Sequence, residues 1–164
     1  MKHNNHFDII IVGGGHAGAE AALICSKLST QVCMVTMNTQ SIGRMSCNPA
    51  IGGLAKGQMV REIDMLGGSM GEFTDLSGIQ FKVLNKTKGM SVWSPRAQVD
   101  KRSYELLVRK KIAAHPIKLI EGEVVDLLIR GSIICGAVLR SGEKIKAPAV
   151  IITCGTFLSG VIHI

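Results

Sequence analysis

The sequence DIIIV at residues 8–12 is followed directly by GGGHAG at residues 13–18, and these two stretches decide the fold. The first is an apolar run typical of a short buried strand, and the second matches the GxGxxG pattern of a tight turn. A helix of small residues is predicted over residues 19–28, and a second strand over residues 31–35. Because buried strands that alternate with helices belong to parallel sheets covered on both faces, the fold class is α/β.

The glycine turn is predicted to bind a dinucleotide. In this motif Gly13 allows the sharp turn, Gly15 lets the backbone approach a pyrophosphate, and Gly18 lets the helix pack closely on the sheet. The start of the helix adds N–H groups and a positive dipole end, which both favour phosphate. The alternative is a purely structural glycine turn. The predicted cofactor contacts in this turn are Gly13, Gly14, Gly15, His16, Ala17 and Gly18.

The second strand lacks the acidic residue that usually binds the adenosine ribose at its end. The strand is followed by TMN at residues 36–38, and no Asp or Glu occurs before Glu62. Thr36 or Asn38 could hydrogen-bond the ribose without a charge. This departure weakens an assignment to NAD more than it weakens binding of a larger cofactor that is held at many points.

The remaining sequence predicts a loop, two helices and several strands. The loop covers residues 36–53, and the helices cover residues 54–66 and 94–114, the second with Ser94 as N-cap and Pro95 at its first position. Short turns make the middle strands an antiparallel meander, and the last strand is expected to return to the parallel sheet. The strands are predicted over residues 79–84, 117–120, 124–129, 133–139, 145–147 and 149–153.

We expect one Rossmann-like dinucleotide-binding domain over residues 1–164, which belongs to a larger protein continuing beyond Ile164. No uncharged apolar run reaches the roughly 18 residues that span a bilayer, and the N-terminus is not a targeting leader. The five cysteines contain no CxxC pair, so neither a zinc site nor a redox disulfide is predicted. These features favour a cytoplasmic protein without a membrane partner or a metal.

The positive charge of the chain lies in one segment. Residues 82–118 contain ten Lys or Arg and two acidic residues, a net charge of +8, while the remaining residues sum to −1, which gives the formal net charge of +7. Such a segment can bind phosphate-rich material. The alternative is a solvated helix face without a partner.

Several features together resemble the FAD-binding domain of glutathione-reductase-like flavoproteins. These are the βαβ unit, the meander inserted before the last strand, and the Thr-Cys-Gly segment at residues 153–155. The resemblance implies that Gly155 allows close approach to the cofactor and that Thr153 contacts it, although Thr153 can also be a simple strand end. It also implies that the backbone of Val125 faces the adenine ring.

The segment IGRMSCNPAIGG at residues 42–53 is the most distinctive in the chain. It resembles, nearly word for word, the SCNPAIGG signature of the MnmG (GidA) family of tRNA wobble-uridine modifying flavoenzymes. The chain departs from the family pattern at Trp93-Ser94-Pro95, where a small and basic run is more usual, so the contacts around Arg96 are in doubt. The resemblance extends to FDIIIVGGGHAGAEAA at residues 7–22, GIQFKVLNKTKG at 78–89, PRAQVDK at 95–101 and VIITCGTFLSGVIHI at 150–164.

The resemblance implies an FAD enzyme that builds an aminomethyl-type group, such as carboxymethylaminomethyl, on carbon 5 of the wobble uridine. It implies tRNA as substrate, a GTPase partner of the MnmE family, a folate one-carbon donor, glycine or ammonia as the amine, and NADH as reductant. The NADH site and the partner-binding region are expected beyond Ile164. The full-length protein is expected to be a homodimer, and this chain alone is expected to be inactive.

Cys47 is the predicted catalytic residue. Carbon 5 of uracil is a poor nucleophile until a group adds to the adjacent ring carbon, and a thiolate is a suitable group. Cys47 lies in a Gly/Pro loop in which Arg44 and a cofactor dipole could favour the thiolate. Whether Cys47 adds to uracil or serves the flavin stays open. The other four thiols, Cys25, Cys33, Cys135 and Cys154, are expected to be inert and buried.

Two other functions compete with this interpretation. One is a general FAD/NAD(P)H oxidoreductase that acts on a small molecule or a protein disulfide, but the missing CxxC argues against disulfide reduction. The other is a non-catalytic nucleotide-binding module. The charge excess over residues 82–118 is greater than a small substrate requires.

Overall fold

The computed structural model describes residues 6–28, 31–156 and 158, so the interpretations of residues 1–5 and of most of the final FLSGVIHI lie outside the described residues. The contacts divide the chain into two compact units. The first unit comprises residues 1–42 and 112–164, and the second unit comprises residues 43–111. The assignment of residues 1–164 to one FAD-binding domain stays a prediction.

The chain forms ten strands and four α-helices within the described residues, together with 3-10 turns at Thr39–Ser41, Lys86–Lys88 and Met90–Val92. In chain order they are β1 (Ile9–Val12), α1 (His16–Leu28), β2 (Val32–Thr36), β3 (Ala50–Gly52), α2 (Lys56–Met65), α3 (Met70–Ser77), β4 (Gly78–Leu84), β5 (Ser94–Val99), α4 (Lys101–Ala113), β6 (Ile117–Glu121), β7 (Val124–Arg130), β8 (Ile133–Leu139), β9 (Lys144–Lys146) and β10 (Ala149–Ile152).

A four-stranded parallel sheet with the order β10-β1-β2-β6 forms the centre of the first unit. Helix α1 connects β1 to β2 and buries a stripe of small residues, among them Ala19 and Ala22. The strands bury apolar residues on both faces, as parallel sheets do. The α/β fold class is therefore confirmed.

The strands β7, β8 and β9 form the antiparallel meander, which is inserted between β6 and β10 as predicted. Its apolar residues share one core with the parallel sheet, and this contact covers the sheet face opposite α1. The return of β10 to the parallel sheet is also confirmed. The shared core contains Phe7, Ile10, Cys33 and Val35 on one side and Ala137, Leu139, Ile145 and Ala147 on the other.

The second unit contains an antiparallel sheet with the order β3-β5-β4 and the helices α2 and α3. Helix α4 contributes Tyr104, whose ring meets Phe73 of α3 edge to face at a centroid distance of 6.0 Å. Gly67 has a φ of +85° and donates its N–H to Asp64 O, which ends α2 close to the predicted end of this helix at residue 66.

The prediction of a helix over residues 94–114 is wrong for its first third. Residues Ser94–Val99 form β5, the central strand of the antiparallel sheet, and α4 begins at Lys101. The polar residues Ser94, Arg96 and Gln98 alternate with apolar ones, which is the period of a strand. The predicted loop over residues 36–53 also contains the short strand β3, and α3 was not predicted.

Asp100 is the true start signal of the helix. Its carboxylate accepts a hydrogen bond from the Ser103 N–H at 2.7 Å, the contact expected of an N-cap. This hydrogen bonding from Ser103 lowers the pKa of Asp100.

Within the described part of the chain, no helix is long and apolar enough to cross a membrane.

Candidate functional site

The carboxyl ends of β1 and β10 mark the candidate site in the first unit. From β1 the chain moves to β2 on one side, and it returns much later as β10 on the other side. In open parallel sheets, ligands bind outside the carboxyl ends of the strands at this switch in direction. The predicted residues of the glycine turn follow β1, and Thr153 and Gly155 follow β10. The structure therefore brings both predicted segments to one edge of the sheet.

Thr153 fastens the glycine turn to the sheet. Its N–H and its hydroxyl both donate to Val12 O at 2.8 Å, and the hydroxyl lies 3.3 Å from Gly13 O. A Cβ at Gly13 would lie 2.6 Å from Thr153 O, and the φ of Gly13 is +110°. A side chain at residue 13 is therefore excluded for two reasons. The backbone conformation would be strained, and the Cβ would clash with Thr153, which follows β10.

Gly18 and Gly15 have opposite surroundings. A Cβ at Gly18 would collide with the carbonyl oxygen of Gly13, so α1 crosses the turn at a distance that only glycine allows. A Cβ at Gly15 would meet nothing within 4 Å, and Gly15 is exposed. Gly15 O accepts the Ala19 N–H at 2.9 Å, which makes Gly15 the N-cap of α1. The space over Gly15 is thus open to a ligand.

The first turn of α1 adds the electrostatic part of this site. His16 is half-buried and Ala17 is exposed, and both lie in the first turn. The first N–H groups of a helix have no acceptor within the helix, and the dipole is positive there. An anion such as a pyrophosphate is therefore favoured above Gly15.

Gly14 has a packing role that was not predicted from the sequence. A Cβ on Gly14 would lie 2.9 Å from Thr36 Oγ1 and 3.1 Å from Ile42 Cγ1. The glycine turn is therefore packed against the end of β2 as well as against β10. Gly155, with a φ of +78°, is exposed and has open space around its Cβ position.

Val125 lies at an irregularity of the meander. The pairing of β7 with β8 joins Val124 to Leu139 and Asp126 to Val138, so Val125 is omitted from the register, and its side chain is 51% exposed. Bulges of this kind redirect groups near binding sites. Gly122 N donates to Thr36 O at 2.9 Å, which brings the turn before Val125 to the end of β2.

Glu121 is a carboxylate at this edge of the sheet that was not predicted from the sequence. It pairs in register with Thr36 at the ends of β6 and β2, and it accepts hydrogen bonds from Thr39 N at 3.0 Å and Thr39 Oγ1 at 2.9 Å. These two bonds lower the pKa of Glu121. The usual motif places an acid directly after β2, whereas Glu121 arrives on a neighbouring strand. Asn38, one of the proposed substitutes, accepts the Gln40 N–H at 2.8 Å with its side chain.

Cys47 lies in the second unit, exposed, in the segment that leads to β3. This segment is fastened to its surroundings: Val99 N donates to Pro49 O at 2.9 Å and Met45 N donates to Glu105 Oε1 at 3.1 Å. The residues two positions before and two positions after Cys47 are therefore bonded to α4 and β5, and the thiol between them is exposed.

The expectation of four buried thiols is wrong for Cys154, which is exposed because it lies beyond the last residue of β10. Cys135 is half-buried. Cys25 and Cys33 are buried as expected, and burial raises the pKa of Cys33 to about 12. These two thiols therefore stay protonated near neutral pH. Within the described residues, no group of three or more His, Cys, Asp or Glu is placed to hold a metal ion.

The second unit also contains a cavity of about 670 Å³ between α2, α3 and the β4–β5 pair. It was not predicted from the sequence. Its apolar wall includes Val60, Phe81 and Pro95. Its charged lining residues are Arg61, Asp64, Asp75, Lys82, Lys86 and Arg96.

Comparison with known proteins points to one family. The family described as glucose inhibited division protein A matches residues 8–164. The tRNA uridine 5-carboxymethylaminomethyl modification enzyme MnmG of Endomicrobium trichonymphae is 46% identical over 159 residues, which cover 96% of this chain and 27% of that protein. The enzyme of the same name from Aquifex aeolicus is 48% identical over 162 residues, which cover 98% of this chain and 26% of that protein.

The structure of Aquifex aeolicus GidA in its form II crystal superimposes with a TM-score of 0.89 at 45% identity, covering 96% of this chain and 26% of that one. This chain therefore spans about a quarter of the length of the relatives that it matches.

The glycine turn makes a prediction about stability. Gly18→Ala should lower the free energy of unfolding by roughly 1–3 kcal/mol, although alanine is the better helix former, because its Cβ collides with the Gly13 carbonyl. Gly15→Ala places the same methyl group in open space and should change stability by less than about 1 kcal/mol. Denaturant unfolding of both variants without ligand measures the difference. Equal losses would contradict the described packing of the turn.

Proposed function

Because the chain belongs to the glucose inhibited division protein A family, we propose that it forms the FAD-binding part of an enzyme that modifies carbon 5 of the tRNA wobble uridine. The observation that carries this proposal is the crevice at the ends of β1 and β10, where an open glycine turn meets a helix start. The SCNPAIGG segment supports the link to this family. The activity belongs to the longer protein, since the chain spans about a quarter of its relatives.

The residues present fit FAD. A pyrophosphate would be held over Gly15, where no side chain blocks it, by the positive end of α1 and N–H groups of its first turn. Thr153 keeps the turn in position, and Gly155 offers exposed backbone beside it. Val125 offers backbone outside the regular strand pairing to the adenine ring. When bound, the flavin supplies hydride transfer chemistry that no side chain provides.

Cys47 is the proposed catalytic residue. As an addition to uracil, its thiolate forms a bond to the ring carbon next to carbon 5, and the displaced electron pair makes carbon 5 nucleophilic. After carbon 5 has bonded to the one-carbon unit, it loses its proton and the thiolate leaves again. The alternative role, service to the flavin, uses the same exposed sulfur. The ordered loop and the exposure of Cys47 support either role.

The remaining components are proposed from the family alone. They are NADH as reductant, a GTPase partner of the MnmE family, a folate one-carbon donor and a homodimer of the full-length protein. An enzyme that acts on tRNA would work in the cytoplasm. The chain without the rest of the protein is expected to be inactive.

Helix α4 is the proposed electrostatic contact for tRNA. It contains Lys101, Arg102, Arg109, Lys110 and Lys111. Lys111 forms an ion pair with Glu72 at 2.9 Å, whereas Lys110 is exposed. Exposed cations that neutralise RNA phosphates release counterions, which gives binding a strong salt dependence.

The choice of cofactor leads to the first functional prediction. Gly15→Val should fold nearly as well as the wild type but lose its flavin, because the side chain fills the space proposed for the pyrophosphate. The absorption band of the purified full-length protein measures flavin content. Ser132→Val, in the exposed turn between β7 and β8, adds the same side chain away from the crevice and should stay yellow. A colourless wild type that folds and binds NAD instead would contradict the proposal.

The proposed role of Cys47 leads to the second functional prediction. Cys47→Ser should abolish wobble-uridine modification in the full-length enzyme with its partner, since a hydroxyl is far less ionised than a thiol. Flavin content should stay nearly unchanged. Nucleoside analysis of tRNA measures the modification, and Cys135→Ser, at a half-buried strand position, serves as the control. Full modification by the Cys47 variant would reduce this residue to a packing role.

The proposed contact of α4 with tRNA leads to the third functional prediction. Lys101→Glu combined with Lys110→Glu should weaken tRNA binding and flatten the dependence of log K on log salt, by roughly 0.7–0.9 for each phosphate that is no longer neutralised. Flavin content should not change. Titrations of the full-length protein at several salt concentrations measure the slope. An unchanged slope would show that α4 is only a solvated face.

A further inference from the structure

The carboxylate of Glu121 reaches the segment in which a dinucleotide site usually has its ribose-binding acid. That acid normally follows the second strand of the βαβ unit. Here β2 ends at Thr36, and the residues directly after it carry no acid. Glu121 is in register with Thr36 on the neighbouring strand β6, and its side chain is hydrogen-bonded to Thr39, three residues after β2. A different strand therefore brings a negative charge to this segment.

The hydrogen bonds of Glu121 leave one of its oxygens available. Thr39 N and Thr39 Oγ1 both donate to Oε2, at 3.0 Å and 2.9 Å. Among the residues that the structure describes, no donor and no cation contacts Oε1, and Glu121 is exposed. An ionised carboxylate accepts hydrogen bonds through both oxygens. Thr39 thus fixes the orientation of the carboxylate, while Oε1 stays open to the hydroxyl groups of a ligand.

The two uncharged residues that could replace the usual acid are less suited to this contact. Asn38 Oδ1 already accepts a backbone N–H two residues later, at 2.8 Å. Thr36 Oγ1 lies 2.9 Å from the position of a Cβ on Gly14, so this hydroxyl is packed against the glycine turn. Neither residue has the negative charge that strengthens a hydrogen bond from a hydroxyl group. Glu121 has this charge.

The chain after Glu121 leads directly to the proposed adenine contact. Gly122 N donates to Thr36 O at 2.9 Å, which holds the turn between β6 and β7 against the end of β2. Val125, with backbone outside the regular strand pairing, follows three residues later. The segment from Glu121 to Val125 therefore offers a group for a ribose and a group for a base within five residues.

We propose that Glu121 binds the hydroxyl groups of the adenosine ribose of FAD, with Oε1 as the acceptor and Thr39 as the residue that positions it. Residues 121–125 then hold the adenosine half of the cofactor, and the glycine turn holds the pyrophosphate. A hydroxyl that donates to a carboxylate forms a charge-assisted hydrogen bond, stronger than one to a neutral acceptor. This inference rests on the proposed FAD site and adds the residue that recognises its ribose.

A comparison of FAD with an analogue whose adenosine ribose lacks both hydroxyl groups tests this contact. Each ligand is titrated calorimetrically into the full-length protein after its flavin has been removed. The wild type should bind the analogue about 10-fold more weakly than FAD, because a hydrogen bond to a charged group is lost. Glu121→Ala should bind FAD about 10-fold more weakly than the wild type does, and its affinities for the two ligands should be nearly equal.

Glu121→Gln provides a second variant that keeps an oxygen acceptor for Thr39, so that its fold is preserved. Its preference for FAD should also be smaller than that of the wild type, since a neutral amide accepts a hydroxyl more weakly. Circular dichroism checks that each variant is folded. A wild type that binds both ligands equally, or a Glu121→Ala variant that keeps the full preference for FAD, would overturn the proposal.

Two control variants separate ribose recognition from a purely structural role of Glu121. Glu123→Ala removes a carboxylate two residues away that is paired with Arg140 at 2.6 Å, and it should keep the preference for FAD. Thr39→Val removes one of the two bonds to Oε2 but leaves the charge, so FAD affinity should fall a few-fold while the preference remains. If Glu121→Ala and Thr39→Val lower the affinity alike and both keep the preference, Glu121 only fastens the segment after β2, and the proposal fails.

Failure of this inference can be told apart from failure of the proposed cofactor site. A wild type that binds FAD and the analogue equally well rejects the role of Glu121 and leaves the FAD site intact. A folded wild type that binds neither ligand rejects both. Gly15→Val should weaken both ligands to the same extent, because each contains the pyrophosphate.

Discussion

The contact between the Gly13 carbonyl and the backbone of Gly18 is the constraint on which the candidate cofactor site depends. It sets how closely α1 crosses the end of β1, and Gly15 within the turn is exposed, with open space at its Cβ position. Thr153 completes this arrangement through its two bonds to Val12 O. Because Thr153 follows β10, the geometry of the turn depends on the pairing of β10 with β1. A local sequence motif therefore depends on one of the longest-range pairings in the chain.

The core of the first unit explains how that pairing is secured. The meander covers one face of the parallel sheet and shares its buried residues, including Ile145 and Ala147 immediately before β10. The chain passes from these buried residues directly into β10, which pairs with β1. The meander also begins at the edge where β2 and β6 end, so Val125 and Glu121 lie at the carboxyl edge of the sheet. One insertion thus covers the core and adds to the rim of the candidate site.

Much of this arrangement was predictable, because the signals were local and strong. The GxGxxG turn, the apolar strands and the short turns of the meander each involve neighbouring residues. The error at β5 shows the limit: Ser94-Pro95 is a common helix start, but the alternation up to Val99 and the pairing with β3 and β4 decide in favour of a strand. Glu121 beside Thr36 and the cavity of the second unit were missed for the same reason, since neighbours from different strands and helices are not visible in a sequence window. Cys154 was misassigned because the strand ends two residues earlier than its thiol.

Chemical-shift mapping of the isotope-labelled chain during titration with FAD tests the central claim most directly, because it reports on each backbone amide. The account predicts that the largest shifts occur at residues 13–18, with further shifts at Val125 and Gly155. Shifts that avoid the glycine turn, or no saturable shifts in a folded chain, would contradict the assignment of this crevice to FAD.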